Sequence, residues 1–510
     1  MTASQQKKPV SERISVYALC LVISALTLGI CSRSSPLYPI NDWVDPNCFL
    51  TVGKAMFSGK AIYLDIYEQK GIFLYFIHGL ASLVSDDSFL GVFILEVLSF
   101  SAFLYITYLI ARLFASRVAS ALVLPPLALA ILCTRAFCQG GSAEQLMLPL
   151  LLYPIYCFLR SVAHGEGGLP KAAEIYLIGA AFSLVLLSKF TMVGVFFGYV
   201  VSLALLCIMK KQFLALFQCA LRFCAGAIAA FLPFLIYFLV CGSLSAFFKV
   251  YFYNNIFVYS SFEEEYTVWE NIIYSFSENA VCIVAAFAGL IFLIVRMRRK
   301  ETSISLSIML FFSFFFIYVA GRFYDYYALG ALFPAALGFA ALAPFLDVWG
   351  KKIFKKEKMR LLAGAISLVL VLCACLPLCF VCSDNTFLLG RSRDDTWQYA
   401  FAEIIERSDD KSLLNYGSLD LGLYTATGTI PDERFFCHLN IELDEMYDEI
   451  ESAIAEGRTK FVVYRGGYPP ISVLQNYRII AREQSHIDFE GTKTTYFLLE
   501  RKEASVGAFE

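Results

Sequence analysis

A chain of 510 residues, of which 58% are hydrophobic and only 16% charged, has more apolar surface than a soluble protein of this size covers with polar groups. The formal net charge of −2 conceals an asymmetry, with 23 acidic and 13 basic residues from 384 to 510, against 20 and 28 before them. This composition favours a membrane protein, and the acidic C-terminal segment argues against nucleic acid as a partner.

Eleven apolar segments predict an α-helical polytopic membrane protein, because about 20 apolar residues span the hydrocarbon core. They lie near 14–31, 89–114, 118–133, 145–160, 173–188, 191–209, 216–241, 280–297, 303–320, 326–347 and 360–382. Basic residues concentrate in alternate loops, among them 210–211, 296–300 and 351–360. The positive-inside rule then predicts a cytoplasmic N-terminus and an external C-terminal segment in a multi-pass plasma-membrane protein.

A long external loop, residues 32–88, is predicted between the first two spans. Residues 71–84 are apolar but short for a span, so they are predicted as an interfacial or re-entrant helix. Counting them as a span would place the basic run 351–360 outside. Residues 46–60 form a second, amphipathic interfacial helix. The predicted transmembrane domain therefore comprises residues 1–383.

After residue 383 the pattern becomes that of a soluble α/β unit, so residues 384–510 are predicted as an extracytoplasmic α/β domain. Helices are expected at 397–407 and 442–456, and strands at 412–416, 460–464 and 494–500. The 16 cysteines show no metal-binding or disulfide spacing. Most of them lie in apolar segments, where a thiol acts as a small apolar group.

Ionisable side chains at the predicted external ends of the helices are candidates for function, because burying them near a membrane is costly. They are Asp42, Asp45, Lys70, Glu144, Lys189 and Arg322. Ordinary roles compete: the two bases at helix ends could anchor in headgroups, and Asp45 and Glu144 could stabilise helix N-termini. Composition and spacing alone indicate a polytopic protein with an external polar site.

Several short motifs occur in the order found in a known family. They are Asp45-Pro-Asn, Gly59-Lys-Ala-Ile-Tyr63-Leu-Asp65, Lys70-Gly71-Ile72, Ser142-Ala-Glu144, Ser188-Lys189-Phe-Thr191 and Arg322-Phe-Tyr324-Asp325. The chain resembles the GT-C superfamily of membrane glycosyltransferases, in the branch of protein O-mannosyltransferases, lipid A aminoarabinose transferases and rhizobial core transferases. Ile72 replaces the proline of the family's Lys-Gly-Pro motif, and Asp325 or Tyr326 stands where His is common.

The resemblance implies an inverting glycosyltransferase that moves a sugar from a polyprenyl-phosphate donor to a cell-surface acceptor on the outer face. Asp45 would be the general base, assisted by Glu144. The phosphate would be stabilised by Lys70, Arg322 and Lys189. Residues that could line the site are Asp42, Asp65, Tyr324 and Asp325.

The acceptor could be a glycan, a lipid, a teichoic-type polymer or a protein, with membrane lipids as further partners. Metal dependence varies within the superfamily, and the sequence shows no ligand cluster, so no required metal is expected. Two other functions stay open. The chain could be a transporter or flippase for a lipid-linked sugar, although no matching halves are visible, or a non-catalytic assembly protein for lipid-linked glycans.

Overall fold

The computed structural model describes residues 10–259, 266–319, 323–485 and 493–503. In chain order the α-helices are α1 Val10–Cys31, α2 Val44–Phe57, α3 Ile72–Ser82, α4 Leu90–Ala111, α5 Arg117–Leu122, α6 Leu124–Leu132, α7 Ala143–Ala163, α8 Ala172–Leu186, α9 Gly194–Met209, α10 Phe213–Val240, α11 Leu244–Phe247, α12 Val268–Glu278, α13 Ala280–Met297, α14 Lys300–Tyr318, α15 Leu329–Leu332, α16 Ala335–Ile353, α17 Glu357–Cys382, α18 Trp397–Glu406, α19 Leu423–Ala426, α20 Asp444–Glu456 and α21 Ile471–Asn476. The strands are β1 Leu413–Tyr416, β2 Phe461–Arg465, β3 Tyr477–Gln484 and β4 Thr495–Arg501.

The apolar helices confirm a multi-pass membrane protein. Within the described residues, eight helices are long and apolar enough to cross a membrane, and the segments Asp325–Leu332 and Ala335–Ile353, bent by 43°, form a ninth if they count as one span. The apolar segments Arg117–Leu132 and Ala172–Leu186 are shorter. All eleven predicted segments are therefore helical, while the number of spans stays a prediction.

The chain divides into two compact units, of which the first comprises residues 1–32, 94–233 and 264–387. Its helices approach one another closely at glycines, as membrane helices do where small residues meet. A Cβ placed on Gly194 of α9 would lie 2.1 Å from the carbonyl oxygen of Phe312 on α14. A Cβ on Gly338 of α16 would lie 2.0 Å from the carbonyl oxygen of Ala285 on α13. Any larger residue at these two positions would force the helices apart.

The second compact unit comprises residues 33–93, 234–263 and 388–510. It contains both helices predicted in the first loop, α2 and α3, which touch where a Cβ on Gly53 would lie 2.5 Å from the backbone nitrogen of Gly79. The interfacial position of these helices and the domain boundary at 383 stay predictions.

A four-stranded sheet in the order β1-β2-β4-β3 forms the α/β part of this second unit. Strands β1 and β2 are parallel, joined by a connection that includes α20, and β4 runs antiparallel to both of its neighbours. The three predicted strands are confirmed, as are the two helices at α18 and α20. Strand β3 was missed because all but one of its residues are exposed or only partly buried, so it lacks the apolar run expected of an inner strand.

Candidate functional site

The predicted base, Asp45, lies in the first turn of α2, whose N-cap is Trp43. The helix has no side-chain cap hydrogen bond, so the capping role considered for Asp45 does not occur. Its half-buried carboxylate has no hydrogen-bond or ion-pair partner among the residues that the structure describes. The helix dipole favours a negative charge at this end, so α2 presents a carboxylate that is electrostatically supported and available to a ligand.

The neighbouring carboxylate, Asp42, has a different environment. Its Oδ1 lies 2.5 Å from the Nη1 of Arg33, a buried guanidinium. A buried arginine needs such a partner to offset its loss of hydration. Asp42 therefore has an ion-pair partner, whereas Asp45 in the same loop has none among the described residues.

Lys70 lies in a rigid turn that precedes α3. The Oε2 of buried Glu68 accepts a hydrogen bond from the Lys70 backbone N–H at 2.8 Å, and Glu68 also accepts one from the Tyr75 hydroxyl. The carbonyl oxygen of Lys70 accepts from the hydroxyl of Tyr63 at 2.7 Å and lies 3.0 Å from the hydroxyl oxygen of Tyr75. These hydrogen bonds stiffen a turn in which the family's proline is absent.

The ammonium of Lys70 lies on the side of α2 that carries Asp45. Its Nζ is 5.9 Å from the ring centroid of Phe49, and Phe49 follows Asp45 by four residues, so the two share a helix face. The Nζ is also 3.9 Å from Oε1 of Glu68. Sequence reasoning missed Glu68, although it lies two residues before the lysine of the motif.

Asp65, the acidic residue of the Gly-x-x-x-Tyr-x-Asp stretch, is exposed and closes its own turn. Its Oδ2 accepts a hydrogen bond from the backbone N–H of Ala61 at 2.7 Å. Tyr63 within this turn is fully buried and has a φ of 73°. The stretch therefore acts as a turn that inserts a tyrosine into the unit, and the Asp65 carboxylate is engaged in holding that turn.

The opposite face of α2 carries a buried polar stripe that sequence reasoning did not find. The hydroxyl of Thr51 donates to Oδ2 of Asp420 at 2.7 Å, and Nζ of Lys54 donates to the carbonyl oxygen of Tyr424 at 2.9 Å. One turn earlier, Oδ1 of Asn47 accepts from the hydroxyl of Thr425 at 3.0 Å. Residues 47, 51 and 54 are spaced by four and three positions, as one helical face requires.

Burial dominates the electrostatics of this stripe. It raises the pKa of Asp420, which nevertheless accepts hydrogen bonds from Thr51 and from the backbone N–H of Gly422. It lowers the pKa of Lys54 to about 8, against the opposing effect of nearby Asp420. These contacts fix the rotation of the helix that presents Asp45 on its other face.

In the first compact unit, Glu144 and Lys189 form a buried ion pair. Glu144 lies in the first turn of α7, where Ser142 caps the helix by accepting from the N–H of Gln145. The carboxylate is 1% exposed, and its Oε1 contacts Nζ of Lys189, which is 7% exposed. Its Oε2 is buried and has no hydrogen-bond partner among the described residues. A buried carboxylate oxygen without a donor is unfavourable, so this atom is poised for a polar ligand.

Two tyrosines enclose the ammonium of Lys189. Its Nζ lies 3.2 Å from the ring centroid of Tyr327 and 5.0 Å from that of Tyr326, within the range of cation–π attraction. Sequence reasoning noted the Tyr-Tyr run only as the place of the family's histidine. Lys189 is therefore paired with one carboxylate and lies against two aromatic rings, and its role as a phosphate ligand stays a prediction.

The remaining predicted residues of this unit lie at its surface or outside the described ranges. Oδ2 of Asp325 accepts from Nε of the exposed Arg135 at 2.9 Å. The ring of Tyr324 stands 5.5 Å from that of Tyr327, next to the Lys189 pocket. Arg322 lies outside the described residues. The structure thus brings Glu144, Lys189 and Tyr324 into one neighbourhood, and in the other unit it brings Asp45 and Lys70 to one helix face.

Comparison with solved structures finds whole-length likeness. ArnT from Cupriavidus metallidurans, bound to undecaprenyl phosphate, superposes with a TM-score of 0.60 at 13% identity, over 98% of this chain and all of that chain. The apo state of the same protein superposes with a TM-score of 0.58 at 13% identity, over 96% of this chain and 98% of that chain. The oligosaccharyltransferase from Archaeoglobus fulgidus superposes with a TM-score of 0.47 at 13% identity, over 98% of this chain and 75% of that chain.

No protein-family model matches the chain, and no curated protein matches it in sequence. The likeness is therefore carried by the arrangement of the helices and the terminal sheet unit, and not by sequence. Given the likeness to both ArnT structures over nearly the whole chain, the chain has the same fold as ArnT.

Proposed function

We propose that this protein is an inverting glycosyltransferase that moves a sugar from a polyprenyl-phosphate donor to a cell-surface acceptor at the outer face of the membrane. The observation that carries the proposal is the fold likeness over the whole chain to ArnT, a protein solved with undecaprenyl phosphate. The residues predicted from the motifs supply the matching chemistry.

In this mechanism Asp45 is the general base. The acceptor hydroxyl gives its proton to the Asp45 carboxylate while its oxygen attacks the anomeric carbon. The bond between that carbon and the phosphate oxygen breaks on the opposite side, so the configuration inverts and polyprenyl phosphate leaves. A carboxylate at the positive end of a helix, with no competing partner among the described residues, suits this role.

The cations act on the leaving group, whose negative charge grows as the bond breaks. Lys70 and Arg322 are the proposed phosphate ligands, since charge-assisted hydrogen bonds to phosphate are strong and arginine can bind two oxygens at once. Lys189, the third proposed phosphate ligand, is paired with Glu144. The Oε2 of Glu144 has no hydrogen-bond partner among the described residues and is the atom proposed to orient the acceptor.

The proposed location of the site at the outer face determines the class of donor. Nucleotide sugars are made in the cytosol and do not cross the bilayer unaided, whereas a polyprenyl-phosphate sugar keeps its chain in lipid and its phosphate at the interface. We therefore place the N-terminus in the cytoplasm and residues 384–510 outside. The basic loops 210–211, 296–300 and 351–360 support this orientation.

A direct assay tests the activity. Purified protein in liposomes is offered two donors with the same sugar, one linked to polyprenyl phosphate and one to a nucleotide. Transfer from the lipid-linked donor to an acceptor extract is expected. Transfer from the nucleotide sugar alone would overturn the proposal, and movement of the lipid-linked sugar across the bilayer without transfer would identify a flippase instead.

A labelling experiment tests the orientation separately. Tyr468→Cys introduces a thiol at a position that is 73% exposed in the C-terminal segment, and Lys355→Cys introduces one in a basic loop. A membrane-impermeant thiol reagent should label the first variant above the wild-type background in intact cells, and the second only after permeabilisation. The reverse pattern would invert the topology and move the proposed site to the cytoplasmic face.

A further inference from the structure

Three cysteines from three different helices meet in the first compact unit. Cys31 ends α1, Cys133 follows the last residue of α6, and Cys379 lies in the last turn of α17. Their sulfur atoms all lie within 4.8 Å of one another. Cys31 and Cys379 are fully buried, while Cys133 is partly exposed. Only the fold brings them together, which is why no spacing motif in the sequence reveals them.

The grouping is specific among the cysteines of this chain. All 16 lie within the described residues as free thiols, and several, such as Cys157 and Cys207, are buried singly in helices. Among the residues that the structure describes, the trio is the one set of three or more His, Cys, Asp or Glu side chains whose ligand atoms lie so close. A thiol that serves only as a small apolar group has no need of two others at contact distance.

We propose that Cys31, Cys133 and Cys379 form a three-sulfur site for a thiophilic metal ion, namely monovalent copper. A metal–sulfur bond of about 2.3 Å puts three trigonal sulfurs about 4 Å apart, which the observed spacing permits with little movement. Soft thiolates select Cu(I) among the available ions. No fourth side chain of these types joins the set within the described residues, whereas a structural zinc site requires four ligands.

The surroundings hold the ligand-bearing helix ends in place. The side-chain amide of buried Asn385 donates to the carbonyl oxygen of Cys31 at 2.7 Å and to that of Cys138 at 2.8 Å. These bonds tie the end of α1 to the segment after Cys133 and to the chain just beyond α17. Cys133 is the partly exposed member of the trio and is the proposed point of entry for an ion.

Metal binding would clamp the ends of α1, α6 and α17. Since the ligands are thiolates, binding releases protons and strengthens as the pH rises. An ion that binds the folded state alone also stabilises it by mass action. The site is independent of the proposed sugar transfer, because none of its ligands belongs to the candidate residues of that reaction.

The test is a Cu(I) titration of the full-length protein in detergent, under reducing conditions and against a chromophoric chelator. One tightly bound ion per chain is expected. Cys31→Ala and Cys133→Ala should each weaken its affinity by more than about 100-fold, because even outer-shell partners of a metal contribute about 10- to 100-fold. Cys207→Ala, at a buried cysteine outside the trio, is the matched control and should bind like the wild type. X-ray absorption should show three sulfurs at about 2.3 Å.

Several outcomes would overturn the site. They are equal Cu(I) affinity in the wild type and both trio variants, binding of zinc but not Cu(I), and a disulfide between two of the three cysteines in alkylated native protein. Cys133→Ser keeps the side-chain volume and serves where the alanine variant does not fold. Loss of transfer activity has no bearing on this result, and loss of Cu(I) binding has none on the proposed function.

Discussion

Asp45 and Glu144 occupy equivalent positions in their helices but have opposite surroundings. Each lies in the first turn of a helix, α2 and α7, where the dipole favours a negative charge. Asp45 is half-buried and has no partner among the described residues, whereas Glu144 is buried and paired with Lys189. The same sequence signal, an acid in the first turn of a helix, therefore produces one carboxylate without a partner among the described residues and one that is held in a buried ion pair.

This difference predicts that variants at the two acids will have different effects on transfer activity and on the stability of the fold. Removing an unpaired, solvent-accessible charge costs a fold little, whereas removing one member of a buried pair leaves the other charge uncompensated. Variants at Asp45 should therefore lose activity without losing stability. Variants at the Glu144–Lys189 pair should affect both.

The largest effect is expected for Asp45→Asn. The amide keeps the shape of the side chain but cannot take a proton, so transfer should fall by about 10²- to 10⁴-fold, the usual contribution of a general base. The melting temperature in detergent should match that of the wild type. Asp87→Asn, an exposed acid of the same loop, is the control and should retain transfer. Near-normal turnover of Asp45→Asn would remove it from the mechanism.

The next effect concerns the buried pair. Lys189→Met leaves the buried Glu144 carboxylate without its cation, and breaking such a pair costs about 3–5 kcal/mol. Thermal unfolding of the purified protein should detect this loss. Adding Glu144→Gln in the same chain should restore much of the stability but not the transfer. A single Lys189→Met variant as stable as the wild type would mean that the pair does not hold the fold.

The helices could be predicted from sequence because a span is a local property of about 20 consecutive residues. The first-loop helices and most of the strands also follow from local periodicity. The partners could not be predicted, since the Thr51–Asp420 contact joins residues 369 positions apart. For the same reason sequence reasoning named Asp45, Glu144 and Lys189 as charged candidates but could not tell which charge is paired.

A pH experiment addresses the buried stripe that orients α2. Burial gives Lys54 a pKa of about 8 in the folded state, against about 10.4 when the chain is unfolded. Between these values the unfolded state binds more protons, so this group makes folding more favourable as the pH rises. Relative to Lys54→Met, the wild type should gain about 1 kcal/mol between pH 8 and 9. A stability difference that stays constant over this range would show that Lys54 titrates normally.

The smallest effect is expected for Asp65, a third acid that the family resemblance places among the site-lining candidates. Its carboxylate is exposed and accepts a hydrogen bond from the N–H of Ala61, so its role follows from the turn and not from the reaction. Asp65→Asn keeps an acceptor oxygen and should be nearly silent. Asp65→Ala removes the acceptor and should cost about 0.5–1.5 kcal/mol of stability, with transfer within about twofold of the wild type because the Asp45 face of α2 is untouched. If Asp65→Asn abolished transfer while leaving the melting temperature unchanged, Asp65 would act on substrate. The absence or presence of a hydrogen-bond partner in the described structure would then no longer distinguish catalytic from structural carboxylates in this loop.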